Sequence, residues 1–242
     1  MKVNCSCLQY CWENSKAPWL QRIHLIRKVV LPAIDAYVAA ANGHAIGTVL
    51  NNATDLSSLP SLQTHLPLVP NVTIQYRCGD NIGFGKTRYG LLPFRAFSKQ
   101  RIDSTSAMFI YVIADSPTRS LTSPFSGRCE LILTKLFEHL RKEFPASVVV
   151  VKRGGDAFLD YARIAYANTV ICSASTFCFW PAISNVHGQV HFPLTPLIAG
   201  AWDNETAPHL VDNFHWIREV DMIKEFKKYR PWHTVIGDLQ TL

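Results

Sequence analysis

The sequence predicts an α/β fold built on a doubly wound, mostly parallel β-sheet, and two observations support it. From Asn71 onward, short apolar runs alternate with segments in which apolar residues recur every three or four positions. The apolar runs are nearly continuous, which is typical of strands with both faces covered by helices. Strands that alternate with helices in this way favour a parallel sheet with helices on both faces.

The composition is that of a globular protein. The chain has 242 residues, of which 48% are hydrophobic and 17% charged, and 24 basic against 18 acidic residues give a net charge of +6. A basic balance suits an anionic partner, but the basic residues are scattered, so we do not expect nucleic acid as a partner. No stretch reaches the roughly 18 apolar residues of a membrane span, and no signal-peptide pattern is present.

Residues 1–70 are predicted to form a short, incomplete N-terminal region on the acceptor side. Apolar residues three or four apart predict a helix from about Trp19–Ala41, with a kink at Pro32. Residues 42–70 are rich in Gly, Asn, Ser and Pro, which is typical of a loop and marks a domain boundary. One short strand, Ala45–Leu50, is expected within it.

Residues 71–242 are predicted to form the ligand-binding domain. Strands are expected at Val72–Arg77, Ala107–Ala114, Ser147–Lys152, Thr169–Ser173 and, as the last strand, Gln189–Phe192. Helices are expected at Glu130–Phe144, at Asp156–Ala167, at Thr176–Ser184 with an interruption at Pro181, and around Trp216, Val220, Ile223 and Phe226. Ligands of parallel sheets bind at the carboxyl ends of the strands, so the candidate residues are those that follow the strands.

The first candidate segment is the end of the first strand. Between Gln75 and Asp80, Arg77 offers a planar fork of N–H donors to a phosphate, and Gly79 lets the backbone turn sharply. Asp80 can orient Arg77 or cap the next segment. A purely structural ion pair between Arg77 and Asp80 explains the segment equally well.

The glycine-rich segment Gly83–Thr87 ends like a phosphate-binding loop but has the wrong spacing. Such a loop needs glycine at position 80, where this chain has Asp80. Because a carboxylate there repels the phosphates that the loop surrounds, we reject this interpretation.

Two further candidates follow the second and fourth strands. Asp115 can contact a ribose, a base or a sugar, although Asp115–Pro117 is also a good turn. The segment Ser173–Thr176 places three hydroxyls and backbone N–H groups at a helix N-terminus, which is a natural phosphate site. Capping of the helix by Ser175 or Thr176 is the alternative, but a cap needs only one hydroxyl.

The cysteines indicate no metal site. Seven of them leave at least one without a partner inside the chain. Cys5, Cys7 and Cys11 lie close together but lack further ligands at zinc-site spacing. Buried thiols, or a disulfide in an oxidising compartment, explain this cluster.

Two segments together resemble the fucosyltransferase superfamily. Gln75–Asp80 resembles the His-x-Arg-x-Gly-Asp motif of α-1,2-fucosyltransferases and of the related α-1,6- and protein O-fucosyltransferases. Ile171–Pro181 resembles the serine-rich segment near the donor phosphates of these enzymes. The resemblance covers about residues 71–195 and implies the Rossmann-like donor domain of a two-domain GT-B glycosyltransferase. The implied reaction transfers fucose from GDP-fucose, with inversion and without a metal ion or other cofactor, to a hydroxyl of a glycan or glycoprotein.

The resemblance also implies roles for individual residues. Arg77 is expected to neutralise the β-phosphate as GDP leaves, with Asp80 holding the Arg77 loop. Asp160 is expected to accept hydrogen bonds from guanine. The residues expected to bind the nucleotide sugar are Gln75, Gly79, Asp115, Asp160, Ser173, Ser175, Thr176 and Phe177. A Golgi or ER-lumen location follows from the resemblance, with membrane association only through an anchor that the chain does not contain.

The chain departs from the family pattern in three respects. Gln75 occupies the usual His position, Cys78 stands where a second Arg is often found, and about 70 residues precede the motif, fewer than a full acceptor domain needs. The alternative to an active enzyme is therefore an inactive nucleotide-sugar-binding relative or a truncated product. No general base can be assigned, since Asp80, Asp156 and the histidines are all candidates.

Overall fold

The computed structural model describes residues 25–34, 36–37, 69–78, 91–103, 108–116, 126–193, 213–217 and 240. A six-stranded, wholly parallel sheet lies at its centre, with the strand order β3-β2-β1-β4-β5-β6. The strands are β1 (Val72–Tyr76), β2 (Phe109–Ala114), β3 (Val148–Arg153), β4 (Thr169–Cys172), β5 (Gln189–Pro193) and β6 (Phe214–Ile217). The chain therefore winds outward from β1 to β3, returns beside β1 as β4, and winds outward the other way.

Helices cover both faces of this sheet. They are α1 (Ser126–Glu143), α2 (Ala157–Tyr166) and α3 (Thr176–Ser184), with a 3-10 helix at Phe94–Phe97. The 3-10 helix and α1 pack on one face, while α2 and α3 pack on the other. The predicted α/β class, a parallel sheet with helices on both faces, is confirmed.

Alternating side chains of the central strands fill two separate cores. In β2, Ile110 and Val112 belong to the core under α1, whereas Tyr111 and Ile113 belong to the core under α2 and α3. Every residue of β1 and β2 is buried. Strands buried on both faces read as continuous apolar runs, which is why the sequence predicts them well.

The strands and helices predicted between residues 71 and 193 all exist, with ends that differ by at most four residues. The largest shift is at α1, which begins at Ser126 rather than at Glu130. The predicted interruption of α3 was wrong, because the helix continues through Pro181. Proline inside a helix removes a single N–H donor, here the one that would reach the carbonyl of Phe177.

The prediction that Trp216 lies in a final helix was wrong, and Gln189–Phe192 is not the last strand. Trp216 lies in β6, which pairs with β5. Phe214 and Trp216 contact Phe192 on one face, and His215 stacks on His191 on the other. This two-residue alternation is the pattern of a strand. The other residues of the predicted helix lie outside the described residues.

The described part of residues 1–70 packs on the sheet domain. A π-helical turn, Ile26–Val30, ends two residues before Pro32, where the sequence predicts a kink, and the Leu31 N–H donates to the Ile26 carbonyl. This turn lies close to α3, and the Tyr37 ring contacts Phe158 of α2. The predicted strand Ala45–Leu50 lies outside the described residues. Among the described helices, none has the length and apolar character needed to cross a membrane.

Candidate functional site

The carboxyl ends of β1 and β4 meet at the centre of the sheet. These strands pair in parallel, and the winding direction of the chain reverses between them. In open α/β sheets a crevice forms outside the strand ends at such a reversal, and ligands bind there. We call the residues at this place, Arg77–Cys78 and Ser173–Phe177, the β1–β4 crevice.

The two sides of the β1–β4 crevice are joined by hydrogen bonds. The Arg77 backbone N–H donates to the Ser173 hydroxyl oxygen at 3.0 Å, across a separation of 96 positions in the chain. The Ser173 N–H in turn donates to the Gln75 carbonyl at 2.8 Å. The structure thus brings together the arginine segment and the hydroxyl turn, which the sequence shows only as separate motifs.

The hydroxyls of the turn have structural partners as well. The Ser175 hydroxyl oxygen accepts from the Phe177 N–H at 3.2 Å and caps α3, so the capping interpretation is correct for Ser175. In both Ser173 and Ser175 the oxygen acts as acceptor, and within the described residues neither O–H has a recorded acceptor, so each can donate to a ligand. Thr176 is half-buried, and Phe177 is 39% exposed at the start of the helix.

The N-terminus of α3 is the more electropositive of the two helix starts on this face. The first turn of α3 contains no acidic residue, whereas α2 starts with Asp156 as its cap and Asp160 in its first turn. Carboxylates neutralise the positive end of a helix dipole, so α3 retains it and α2 does not. The half-buried Arg77 follows the neighbouring strand β1, and its backbone N–H bonds to Ser173 of the turn before α3. An anion is therefore favoured at α3.

Asp115 directly follows β2, the strand that pairs with β1 on the side opposite β4. Its carbonyl accepts from the Arg153 side chain at 3.1 Å, and Arg153 also pairs with Glu130 of α1. Gly154 has φ 65°, and a Cβ there would lie 3.1 Å from the Ser116 hydroxyl. The residues after β2 thus pack closely on the loop after β3, whereas Pro117 lies outside the described residues and the turn at Asp115–Pro117 stays a prediction.

Asp160 is in the interior. Its Oδ1 accepts from Arg163 Nη1 at 2.7 Å, and the two side chains are only 6% and 4% exposed. Burial raises the pKa of Asp160, and the neighbouring Arg163 opposes that rise. The Arg163 guanidinium carbon lies 4.3 Å from the centre of the Tyr111 ring. Asp160 thus has a structural partner, and its contact with guanine stays a prediction.

Gln75 has a buried amide oxygen that no described residue satisfies with a hydrogen bond. The residue is 4% exposed, it pairs in register with Cys172, and none of the described residues donates to its Oε1. Leaving a buried acceptor unpaired costs free energy, and such atoms are usually satisfied by water or by a ligand. Gly79 and Asp80, the remaining members of the predicted set, lie outside the described residues, as does the segment Gly83–Thr87.

Among the general-base candidates that the structure describes, Asp156 has structural partners and His191 has a lowered pKa. Asp156 caps α2, accepting from the N–H groups of Phe158 and Leu159 through one oxygen and from the Tyr37 hydroxyl through the other. Burial, with smaller contributions from His215 and Arg101, lowers the pKa of His191 to about 4. Within the described residues, no group of three or more His, Cys, Asp or Glu could hold a metal ion.

Two disulfides that the sequence does not predict border the β1–β4 crevice. Cys78 is bonded to Cys129 and Cys172 to Cys178, with Cα–Cα distances of 5.3 and 5.8 Å. The available signal was the position of Cys172 and Cys178, one on either side of the hydroxyl turn. The Cys78–Cys129 bond also explains why Cys78 supplies no charge to the site, since its sulfur is part of a buried bridge.

No protein-family model, curated protein or solved structure matches this chain. The fold and the candidate site therefore rest on the geometry of the described residues, and the family resemblance rests on the two sequence motifs.

Proposed function

We propose that the chain is the donor-binding part of a glycosyltransferase of the fucosyltransferase type, with GDP-fucose as the donor and a glycan or glycoprotein hydroxyl as the acceptor. The observation that carries the proposal is the hydrogen bond between Arg77 and Ser173. It joins the two motifs of the resemblance at the point of the sheet where α/β proteins bind nucleotides.

The chemistry of the crevice suits a departing diphosphate. Cleavage of the sugar–phosphate bond leaves negative charge on the β-phosphate, and enzymes stabilise such charge with fixed donors and dipoles. Arg77 supplies a cationic fork, and the N-terminus of α3 supplies backbone N–H groups with no acidic residue in the first turn. These groups would stabilise the negative charge on the departing GDP, so that an inverting transfer would need no metal ion.

The disulfides support the proposed location in the Golgi or ER lumen. Disulfides form and persist in oxidising compartments and are rare in the cytosol. All four cysteines of the two bridges are fully buried, as is usual for structural disulfides. A GDP-sugar-dependent transferase of secreted glycans works in such a compartment.

A catalytically inactive nucleotide-sugar-binding relative is the second candidate. The observation in its favour is the Cys78–Cys129 bond, because the position where relatives often carry a second arginine has no charge here. With one cation fewer, the site binds a diphosphate but stabilises the leaving group less well.

A donor-turnover assay separates these candidates. Purified protein is incubated with GDP-fucose, GDP-mannose or UDP-galactose and a panel of glycan acceptors, and nucleotide release and sugar transfer are measured. We expect GDP release from GDP-fucose, reduced about 100-fold or more in Arg77→Ala. Arg141→Ala removes the same charge from the last turn of α1 and is expected to leave turnover unchanged.

The outcomes are distinct. GDP binding without any sugar transfer would favour the inactive relative. Folded protein that neither binds nor turns over any of these nucleotides would contradict the proposal.

A further inference from the structure

We propose that the two disulfides position the two sides of the β1–β4 crevice for the diphosphate, Cys78–Cys129 on the β1 side and Cys172–Cys178 on the α3 side. This inference rests on the proposed function, because it concerns the same site. It assigns the cysteines a role in ligand affinity in addition to a role in stability.

The first bridge holds the end of β1. Cys78 comes directly after Arg77, and its partner Cys129 lies in the first turns of α1, 51 positions further along the chain. Cys78 and Cys129 both belong to the core on the α1 face of the sheet. The bond therefore ties the backbone of Arg77 to α1, so that this backbone cannot move away from the sheet independently.

The second bridge closes the hydroxyl turn into a ring. Cys172 is the last residue of β4, Cys178 is in the first turn of α3, and the residues between them are Ser173–Phe177. Cys172 and Cys178 belong to the core on the opposite face of the sheet. The entire turn that faces the crevice is thus held between two covalently joined ends.

The two bridges act on segments that already touch. Ser173, the first residue inside the ring, accepts the hydrogen bond from the Arg77 N–H. The end of β1 is fixed to one helix layer, the turn is fixed to the other, and this hydrogen bond joins them. A site whose donors are held in place before binding loses less conformational freedom when the ligand arrives, and therefore binds it more tightly.

If the disulfides only stabilise the fold, a different result is expected. Removing one bridge would then lower the melting temperature but leave the affinity of the folded protein for GDP unchanged. The positioning role requires a loss of affinity in protein that is still folded. Affinity measured on folded variants therefore separates the two.

The test compares GDP affinity in variants that lack one bridge. Cys172→Ala/Cys178→Val opens the ring while keeping most of the buried volume, and Cys78→Ala/Cys129→Val removes the other bridge. Ser184→Ala serves as the matched control, because Ser184 is buried at the far end of α3, where its hydroxyl bonds to the Trp180 carbonyl. Kd for GDP is measured by calorimetry at a temperature at which circular dichroism shows every variant folded.

We expect the GDP Kd to rise about tenfold or more when the ring is opened, and to stay at the wild-type value in Ser184→Ala despite a lower melting temperature. Wild-type affinity in both bridge variants would overturn the inference and leave the proposed function standing. Absence of GDP binding by the folded wild type would overturn both.

Hydrogen exchange of the unaltered protein keeps the inference testable if a bridge variant fails to fold. The amides of Ser173 and Phe177, which donate to the Gln75 carbonyl and the Ser175 hydroxyl, are expected to be protected in the free protein, with little gain when GDP is added. Full exchange in the free protein, with protection only after GDP binds, would contradict a turn that is positioned in advance.

Discussion

The hydroxyl oxygen of Ser173 lies 3.0 Å from the backbone nitrogen of Arg77. The two residues follow neighbouring strands of the sheet, β4 and β1, at the point where the winding of the chain reverses. One short contact therefore connects the backbone of Arg77 with the turn that leads into α3, and the proposed diphosphate site depends on it.

Replacing Ser173 by Ala is expected to weaken both stability and GDP binding. The Arg77 N–H loses its acceptor, which costs about 1–2 kcal/mol of the free energy of unfolding. The turn also loses an O–H donor to the ligand. Denaturant unfolding and calorimetric titration with GDP measure the two effects. Ser184→Ala loses a buried hydroxyl at the other end of α3 and should reduce stability alone; equal GDP affinity in the two variants would contradict this account.

Arg163→Met is expected to destabilise the protein by about 3–5 kcal/mol, because it leaves the Asp160 carboxylate buried without its partner. The double variant Asp160→Leu/Arg163→Met should recover most of this loss, since no buried charge remains. Thermal and denaturant unfolding provide the measurement. A double variant that is less stable than Arg163→Met would show that the pair is not an isolated unit.

The same double variant tests the predicted contact between Asp160 and guanine. If Asp160 accepts hydrogen bonds from the base, the double variant should lose its preference for GDP over ADP while remaining folded. Calorimetric titration with both nucleotides decides this. Unchanged GDP preference would remove Asp160 from the binding site and leave it a purely structural role.

Gly155→Ala is expected to destabilise the loop after β3. A Cβ at this position would lie 2.7 Å from Asp160 Oδ2, and Arg163 holds that carboxylate in place. Forced displacement of buried groups typically costs about 1–3 kcal/mol. Gly127→Ala near the start of α1 is the control, because no described residue lies within 4 Å of its added methyl, and we expect no loss of stability. Similar effects of both substitutions on the unfolding free energy would contradict the close packing at Gly155.

His191 is expected to make stability depend on pH between neutral and mildly acidic conditions. Its pKa is about 4 in the folded protein, lowered by burial and by the charges of His215 and Arg101, against about 6.5 when unfolded. The unfolded chain therefore binds more protons in this interval. The stabilisation is complete above about pH 6.5, decreases as pH falls, and is lost near pH 4, with a total on the order of 2–3 kcal/mol.

The measurement is the free energy of unfolding of wild type and His191→Gln across this interval. The substitution should remove most of the slope. His187→Gln, which changes an exposed histidine, should leave the slope as in the wild type. A slope that persists in His191→Gln would assign the pH dependence to other groups.

Much of the fold was predictable because its signals are local. The buried strands read as apolar runs, and the limits of α3 were identified from its residues alone. The edge strand β6 was not, because Trp216 lies four positions before Val220, and this spacing also fits a helix. The 3-10 helix at Phe94–Phe97 also has too few residues for a period to appear.

The candidate site was predictable only in part because its contacts are not local. The sequence places Arg77 and Ser173 after separate strands, but only the pairing of β1 with β4 makes them neighbours. The disulfides depend on the same pairing and on the positions of α1 and α3. For Asp160, the residue type suits a contact with a ligand. The structure instead shows a buried ion pair with Arg163, which the sequence does not reveal.

The most direct test of the account is calorimetric titration of the wild type and of Arg77→Ala with GDP, UDP and ADP. The account predicts binding that is selective for GDP in the wild type and at least about tenfold weaker in Arg77→Ala, because the cationic fork at the end of β1 is lost. Folded wild-type protein that binds none of the three nucleotides, or Arg77→Ala that binds GDP as tightly as the wild type, would contradict a diphosphate site in the β1–β4 crevice.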